Sequence, residues 1–325
     1  MKTSRRDFLF GAISAGSLAY GAPIVNVAAE PLPGTAEIDP NLSVLISDVH
    51  VPLPWSEQKY RTGREYPWII GQIQRFVNEI LAMRPLPAHV FGFGDMSIAF
   101  SEEREYEIAE TLFRPLADTG ITLVMTVGNH DLREPFRKHL GKWAGVTPVP
   151  GRVTSVTHLP HFDLILLDSL KEPKPADRGK YEALTGCELG KEQRKWLEDT
   201  LEAAKRPVIV GAHHSAKQAD INKLIVRSPN VFGYIHGHHH KWDQSYLSHG
   251  YSRTTVVRSQ GLPSFGIDRD IGYALLRSFP DRAELEYVAR DYYFPEKIAQ
   301  SERPPLWDDI VRDNAGRRVS FPFRK

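Results

Sequence analysis

The chain has 325 residues, 41% of them hydrophobic and 25% charged, with 15 Phe, 12 Tyr and 6 Trp; this excludes a disordered or fibrous chain and supplies a sizeable core. Lys and Arg number 41 against 40 Asp and Glu, so no positive excess draws the protein to a nucleic-acid backbone or an anionic membrane, and nucleic acid is not an expected partner. A lone cysteine, Cys187, excludes an internal disulfide and a cysteine-based zinc framework, whereas four of the 13 histidines fall between His236 and His240.

Residues 1–29 read as an address rather than as fold. Arg5-Arg6 stands before an apolar, Gly/Ala/Ser-rich stretch from Leu9 to Val27, and Val27-Ala28-Ala29 offers the small residues a signal peptidase requires. The segment resembles a twin-arginine export signal. That resemblance implies the twin-arginine export machinery as a partner, transport of an already folded protein, a periplasmic or extracellular destination, and a mature chain of net charge −1. The competing reading is a retained anchor, but Gly11, Ser14, Gly16, Ser17, Gly21 and Pro23 make a poor apolar run for a span of about 20 residues. Residues 30–41, with Pro31, Pro33 and Pro40, read as a linker, and 42–325 as a single domain, because no repeat or second boundary interrupts them.

Beyond the linker, short apolar runs alternate with amphipathic ones. Leu42 to Ile46 predicts a buried strand, Trp68 to Met83 a helix, His89 to Phe93 a strand, Glu102 to Ala117 a helix and Ile121 to Val127 a third strand. Phe162 to Leu167 predicts another strand, Lys191 to Ala204 a helix with Trp196 and Leu197 on its buried face, and Val208 to Gly211 and Val231 to Ile235 two more strands. From Tyr246 onward, Thr254 to Val257, Ala274 to Arg277 and Ala283 to Ala289 predict antiparallel strands without helices. The fold class is α/β.

Polar residues follow each of the strands. Asp48-Val49-His50, Gly94-Asp95, Gly128-Asn129-His130-Asp131, His213 and Gly237-His238-His239-His240 all stand just beyond an apolar run. In an α/β sheet the carboxyl ends of strands converge on one crevice, which brings such residues together. Asp48 with His50, and His238 with His240, are two apart, so each pair can face one side of an extended segment while His239 faces away. Carboxylate, imidazole and amide oxygen together suit Mn, Fe or Zn. A string such as Gly-Asn-His-Asp arises by chance about 0.002 times in a chain of this length, taking each residue at roughly one in twenty.

These five elements, spread over residues 48–240, resemble the blocks of the calcineurin-like metallophosphoesterases. Leu166-Leu167-Asp168-Ser169, Gly190 to Leu197 and Asn129 to Arg133 are similar to the family's cyclic-nucleotide phosphodiesterase branch, whereas Ser215-Ala216 departs from the prolines common there and Ile98 replaces the aromatic ligand of purple acid phosphatases. The resemblance implies a four-layer α/β/β/α sandwich. It further implies that Asp48, His50 and His240 bind one metal ion, that Asn129, His213 and His238 bind a second, and that Asp95 bridges them. His130 would be the proton donor, with Asp131 behind it to orient the ring. The implied activity is hydrolysis of a small phosphodiester or phosphomonoester; a nuclease and a non-catalytic scaffold of the same fold are the alternatives.

For the remaining residues the plainer reading is the expectation. His236 packs, His214 is open between packing and a contact behind the ligands, and His89, His139, His158, His161 and His249 belong to surface or core. Arg133 is open between a phosphate contact and an exposed helix start.

Overall fold

A computed structural model of the chain describes residues 36–54, 66–98, 101–178, 186–249, 252–258, 272–289 and 316–323. The export-signal reading lies outside the described residues, and among those described no helix is long and apolar enough to cross a membrane. Ala36 to Lys325 cluster as one compact unit.

In chain order the strands are β1 (Ile38–Ile46), β2 (Leu86–Phe93), β3 (Thr122–Thr126), β4 (Ser155–His158), β5 (Asp163–Leu167), β6 (Val208–Ala212), β7 (Val231–His236), β8 (Asp243–His249), β9 (Ser252–Arg258), β10 (Gly272–Ser278), β11 (Arg282–Ala289) and β12 (Arg318–Pro322). The helices are α1 (Tyr66–Leu81), α2 (Glu103–Asp118), α3 (Arg133–Leu140), α4 (Lys191–Ala203) and α5 (Asn222–Arg227). The strands form two six-stranded sheets, ordered β12-β11-β10-β1-β2-β3 and β4-β5-β6-β7-β9-β8.

Apolar side chains from the inner faces of both sheets make one core: Leu45, Phe91, Phe93 and Leu285 from the first meet Leu164, Leu166, Ile209 and Ile235 from the second. The alternation along β11, with Ala283, Leu285 and Tyr287 buried and their neighbours half-buried, is that of a strand with one face on this core. The outer face of the second sheet, including Ile165, Leu167, Val208 and Val210, is covered by Leu197 and Leu201 of α4 and Ile225 of α5. On the first sheet Phe76 of α1 packs on Phe113 of α2 and Tyr273 of β10. Helix, sheet, sheet and helix make the four layers the sequence implies.

Parallel register is what positions the site. Ile46 pairs with Gly92 and Phe93 with Thr126, so β1, β2 and β3 end side by side; Leu167 pairs with Ala212 and Ala212 with His236, which aligns the ends of β5, β6 and β7. The loops leaving these strands are then stitched together, with Asp48 N–H on the Gly94 carbonyl at 3.1 Å and His50 N–H on that of Asp95 at 2.9 Å.

The structure corrects several expected elements. β1 begins at Ile38, inside the expected linker, because Pro40 falls where the register to β2 shifts between Asp39 and Ser43, a place where a missing N–H costs no ladder bond. β9 runs parallel to β7 and antiparallel only to β8. The short elements β4, α3, α5 and β12 carry too few periodic residues to be predicted; β12 buries only Val319 and Phe321.

Candidate metal centre

Seven non-glycine residues among those described have a positive φ, and five of them are Asp48, His50, Asp95, His238 and His240. Such a backbone costs on the order of 1–3 kcal/mol per residue and persists only where the surroundings demand it, so its concentration on the expected ligands marks a constrained site. Glycines make the close approach possible. A Cβ at Gly128 would land on Oδ1 of Asp95, and one at Gly237 on the Ser47 hydroxyl and the Asp48 carboxylate.

The seven expected ligands come together as two sets around one carboxylate. In the first, Asp48 Oδ1 lies 3.1 Å from His240 Nε2, which lies 3.1 Å from His50 Nε2. In the second, His213 Nε2 lies 2.9 Å from Asn129 Oδ1, and the His238 ring centres 5.1 Å from that of His213. Oδ2 of Asp95 lies between the sets, 3.7 Å from His50 Nε2 and 3.1 Å from His213 Nε2. Asp48 is held from behind by the Ser47 hydroxyl at 2.6 Å and the His238 N–H at 3.0 Å.

Ring orientation tests whether these residues suit a cation. His50 Nδ1 lies 3.1 Å from the Ser97 carbonyl and His213 Nδ1 2.9 Å from that of Phe93, so each ring donates its Nδ1–H to the backbone. His50 then turns a bare Nε2 lone pair inward, onto another imidazole nitrogen, and His213 turns its Nε2 onto two oxygens. Such converging lone pairs repel unless a proton or a cation lies among them, and the N/O donor set fits Mn, Fe or Zn.

Titration follows the same geometry. Burial opposes charge on Asp48 and Asp95, yet His240 beside Asp48 and His213 beside Asp95 hold both carboxyls well below their ordinary range. Burial pushes His50 down to about 3 and His238 to about 4, so both are neutral donors. Burial also opposes charge on His213, but Asp95 outweighs it and carries the ring up to about 9.

His130 stands at the edge of this centre, its ring 4.9 Å from that of His50 and nearly perpendicular to it. Its N–H donates to Asp95 Oδ1 at 2.8 Å, while Nδ1 is buried without a hydrogen-bond partner. Asp131 does not orient that ring. Its carboxylate accepts the N–H groups of Gly128 at 2.8 Å and Ser97 at 3.1 Å and the Tyr106 hydroxyl at 3.0 Å, so it ties two loops together. Burial and the nearby Asp95 raise it to about 6.

Arg133 is neither exposed nor free for phosphate. It forms a two-pronged pair with Asp168, at 2.7 and 2.8 Å, and a further contact with Glu172 at 3.3 Å. His214, adjacent to the motif histidine, lies beside His238 with ring centres 4.8 Å apart and groups with His213 and His238 as a candidate ligand set; Nδ1 meets the Ser169 hydroxyl at 2.8 Å. His239 is exposed and His236 buried against Tyr234, as expected. His89 stacks on Phe91, and His139 and His158 meet Glu103 and Asp163, all away from the site; the His249 side chain lies outside the described residues. Sequence reading missed Ser97, Ser101, Glu105 and Tyr106, which back the ligand loops, because nothing in their spacing separates them from ordinary residues of a helix and its cap.

Two packed sheets whose parallel strands deliver two His/Asp clusters to one edge are the architecture of metal-dependent phosphoesterases. Residues 43–242, more than half of the chain, match the family model described as calcineurin-like phosphoesterase, and the chain belongs to that family. Similar solved structures include that of PhoD, at 12% identity and a TM-score of 0.48 over 80% of this chain and 68% of that one. The sulfate thiohydrolase SoxB of Thermus thermophilus, in complex with glycerol, aligns at 13% identity and a TM-score of 0.45 over 86% of this chain, which spans 60% of SoxB. Vps29 of Entamoeba histolytica, complexed with zinc, aligns at 12% and 0.36 over 87% of this chain and 99% of its own. None of the curated proteins compared matches the chain in sequence.

Proposed function

We propose that the protein is a dinuclear metal-dependent phosphoesterase that prefers phosphodiesters, stands nearest the cyclic-nucleotide phosphodiesterase branch of its family, and works outside the cytoplasm after twin-arginine export. The observation that carries this reading is Asp95, one of whose oxygens faces His50 on one side and His213 on the other. Asp48, His50 and His240 would hold one ion, and Asn129, His213 and His238 the other. When bound, two such ions supply a hydroxide near neutral pH and neutralise phosphoryl charge.

The chain's own groups do the rest. His50 and His213 are aimed by their Nδ1–H bonds to backbone carbonyls, which fixes the donor atoms before substrate arrives. His130, gripped through its own N–H, presents an imidazole that can give a proton to the leaving alkoxide. The diester preference is supported by Arg133: its charge is taken by Asp168 and Glu172, and a diester carries one negative charge where a monoester carries up to two. The branch assignment is supported by three motif segments meeting one another, since Asp168 pairs with Arg133 and exchanges hydrogen bonds with Gln193 at 3.1 and 2.7 Å.

Turnover of bis(p-nitrophenyl) phosphate against p-nitrophenyl phosphate, with Mn, Fe and Zn supplied separately, tests this reading. The diester should be cleaved with the higher kcat/KM; a monoester preference overturns the substrate assignment, and full turnover in chelator overturns the metal. For export, Arg5→Lys with Arg6→Lys should leave the precursor in the cytoplasm, and unchanged export would refute the signal.

A further inference from the structure

We propose that the hydroxyls of Tyr106 and Ser101 form a brace that positions His130 against the metal centre through its backbone, an inference that rests on His130 acting as the proton donor. Ser101 precedes α2 with φ of 57°, and among the described non-glycine residues it is one of two with left-handed backbone, the other being Asp220, outside the ligand sets. Its hydroxyl donates to the His130 carbonyl at 2.7 Å. The Tyr106 hydroxyl lies 3.0 Å from both Ser101 Oγ and Asp131 Oδ1 and accepts the Leu132 N–H at 3.1 Å. Within its own loop, the Ser101 N–H donates to Ser97 Oγ at 2.9 Å.

The peptide on each side of His130 is thereby pinned, its N–H by Asp95 and its carbonyl by Ser101. Those two bonds set the direction in which the imidazole leaves the chain. Packing does not require the phenol oxygen. Tyr106 is fully buried and its ring meets Phe136 edge-on, an environment that phenylalanine would fill equally well. A buried hydroxyl costs free energy unless it is bonded, and this one is spent between the loop carrying Asp95 and the loop carrying Asn129 and His130. Misplacing a reacting group by about 1 Å can cost on the order of 100-fold in rate, so a brace of this kind acts on kcat.

The test compares Tyr106→Phe, Ser101→Ala, His130→Ala and the Tyr106→Phe/His130→Ala double variant on an alkyl and a p-nitrophenyl diester, with metal content measured for each. Tyr106→Phe should lower kcat on the alkyl ester about 10-fold, with KM and metal content unchanged and a smaller loss on the p-nitrophenyl ester, whose leaving group needs little protonation. Ser101→Ala should do the same and serves if Tyr106→Phe does not fold. Added to His130→Ala, Tyr106→Phe should cost nothing more. Additive losses, equal losses on both esters, or loss of an ion would overturn the brace. If His130→Ala itself loses equally on both esters, the donor reading falls, and the double-variant comparison still decides whether Tyr106 acts through His130.

Discussion

The raised titration of His213 makes metal binding at its side of the centre a competition with a proton. In the metal-free protein Asp95, 3.1 Å from His213 Nε2, outweighs the burial that opposes charge and holds the ring near 9. At pH 7 the nitrogen that faces Asn129 and Asp95 is therefore protonated, and an incoming cation must displace that proton. The gap from pH 7 to about 9 corresponds to about 2.7 kcal/mol, or about 100-fold in apparent affinity for the ion that His213 would bind. His50 and His238, at about 3 and 4, hold no proton there and add no such term. Apparent affinity at the His213 side should thus rise about tenfold per pH unit between pH 6 and 8. The same shift makes the His213–Asp95 pair's contribution to the metal-free fold full below about 6.5 and lost as pH rises through about 9. Titration calorimetry at several pH values reads the affinity slope, and nitrogen NMR of labelled imidazoles reads the ring directly. Asp95→Asn removes the charge that raises His213 and should bring the ring to neutrality at pH 7. A neutral His213 in the metal-free parent at pH 7, or metal affinity flat from pH 6 to 8, would refute the reasoning.

Four further variants have outcomes that follow from their surroundings. Glu105 is 2% exposed, bonded to the Ser97 hydroxyl at 2.6 Å, and burial raises it from 4.5 to about 8; its protonation supports the fold below about pH 4.5, and that support, at most about 5 kcal/mol, is lost as pH rises to about 8. Glu105→Gln, neutral throughout, should gain stability relative to the parent as pH rises from 5 to 8 in urea unfolding, and parallel curves would count against it. Gly128→Ala should lose bound metal by elemental analysis, because its Cβ collides with Asp95, whereas Gly71→Ala in α1, with nothing nearby, should stabilise by about 1 kcal/mol. Arg133→Met should cost at most about 3–5 kcal/mol by removing the two-pronged partner of the fully buried Asp168, which keeps only the more distant Arg152 at 3.9 Å. Its KM for substrate should stay unchanged; a large rise in KM would restore Arg133 to the phosphate.

The residues that make this centre were legible in the chain because each stands directly after an apolar run. An apolar strand followed by Asp-x-His, Gly-Asp or Gly-Asn-His-Asp carries its own position and its own chemistry in a handful of adjacent letters. Helices α1, α2 and α4 were legible for the same local reason, the spacing of their apolar residues. What adjacent letters do not carry is the identity of a partner far along the chain. Asp131 and Arg133 sit beside the motif, and their neighbours suggested a catalytic and a phosphate role; their distant partners, Tyr106 and Ser97 for one, Asp168 and Glu172 for the other, lie 25 to 39 residues away. Strand β12 is a strand because β11 offers it an edge, with Val319 facing Leu285 across the ladder, and its five residues alone are too short to show it. Local pattern determines which groups are presented, since periodicity and turn chemistry act over a few residues. Only the tertiary structure decides what each group meets, because a carboxylate or a guanidinium in the interior takes its role from whichever donor or charge the fold sets against it.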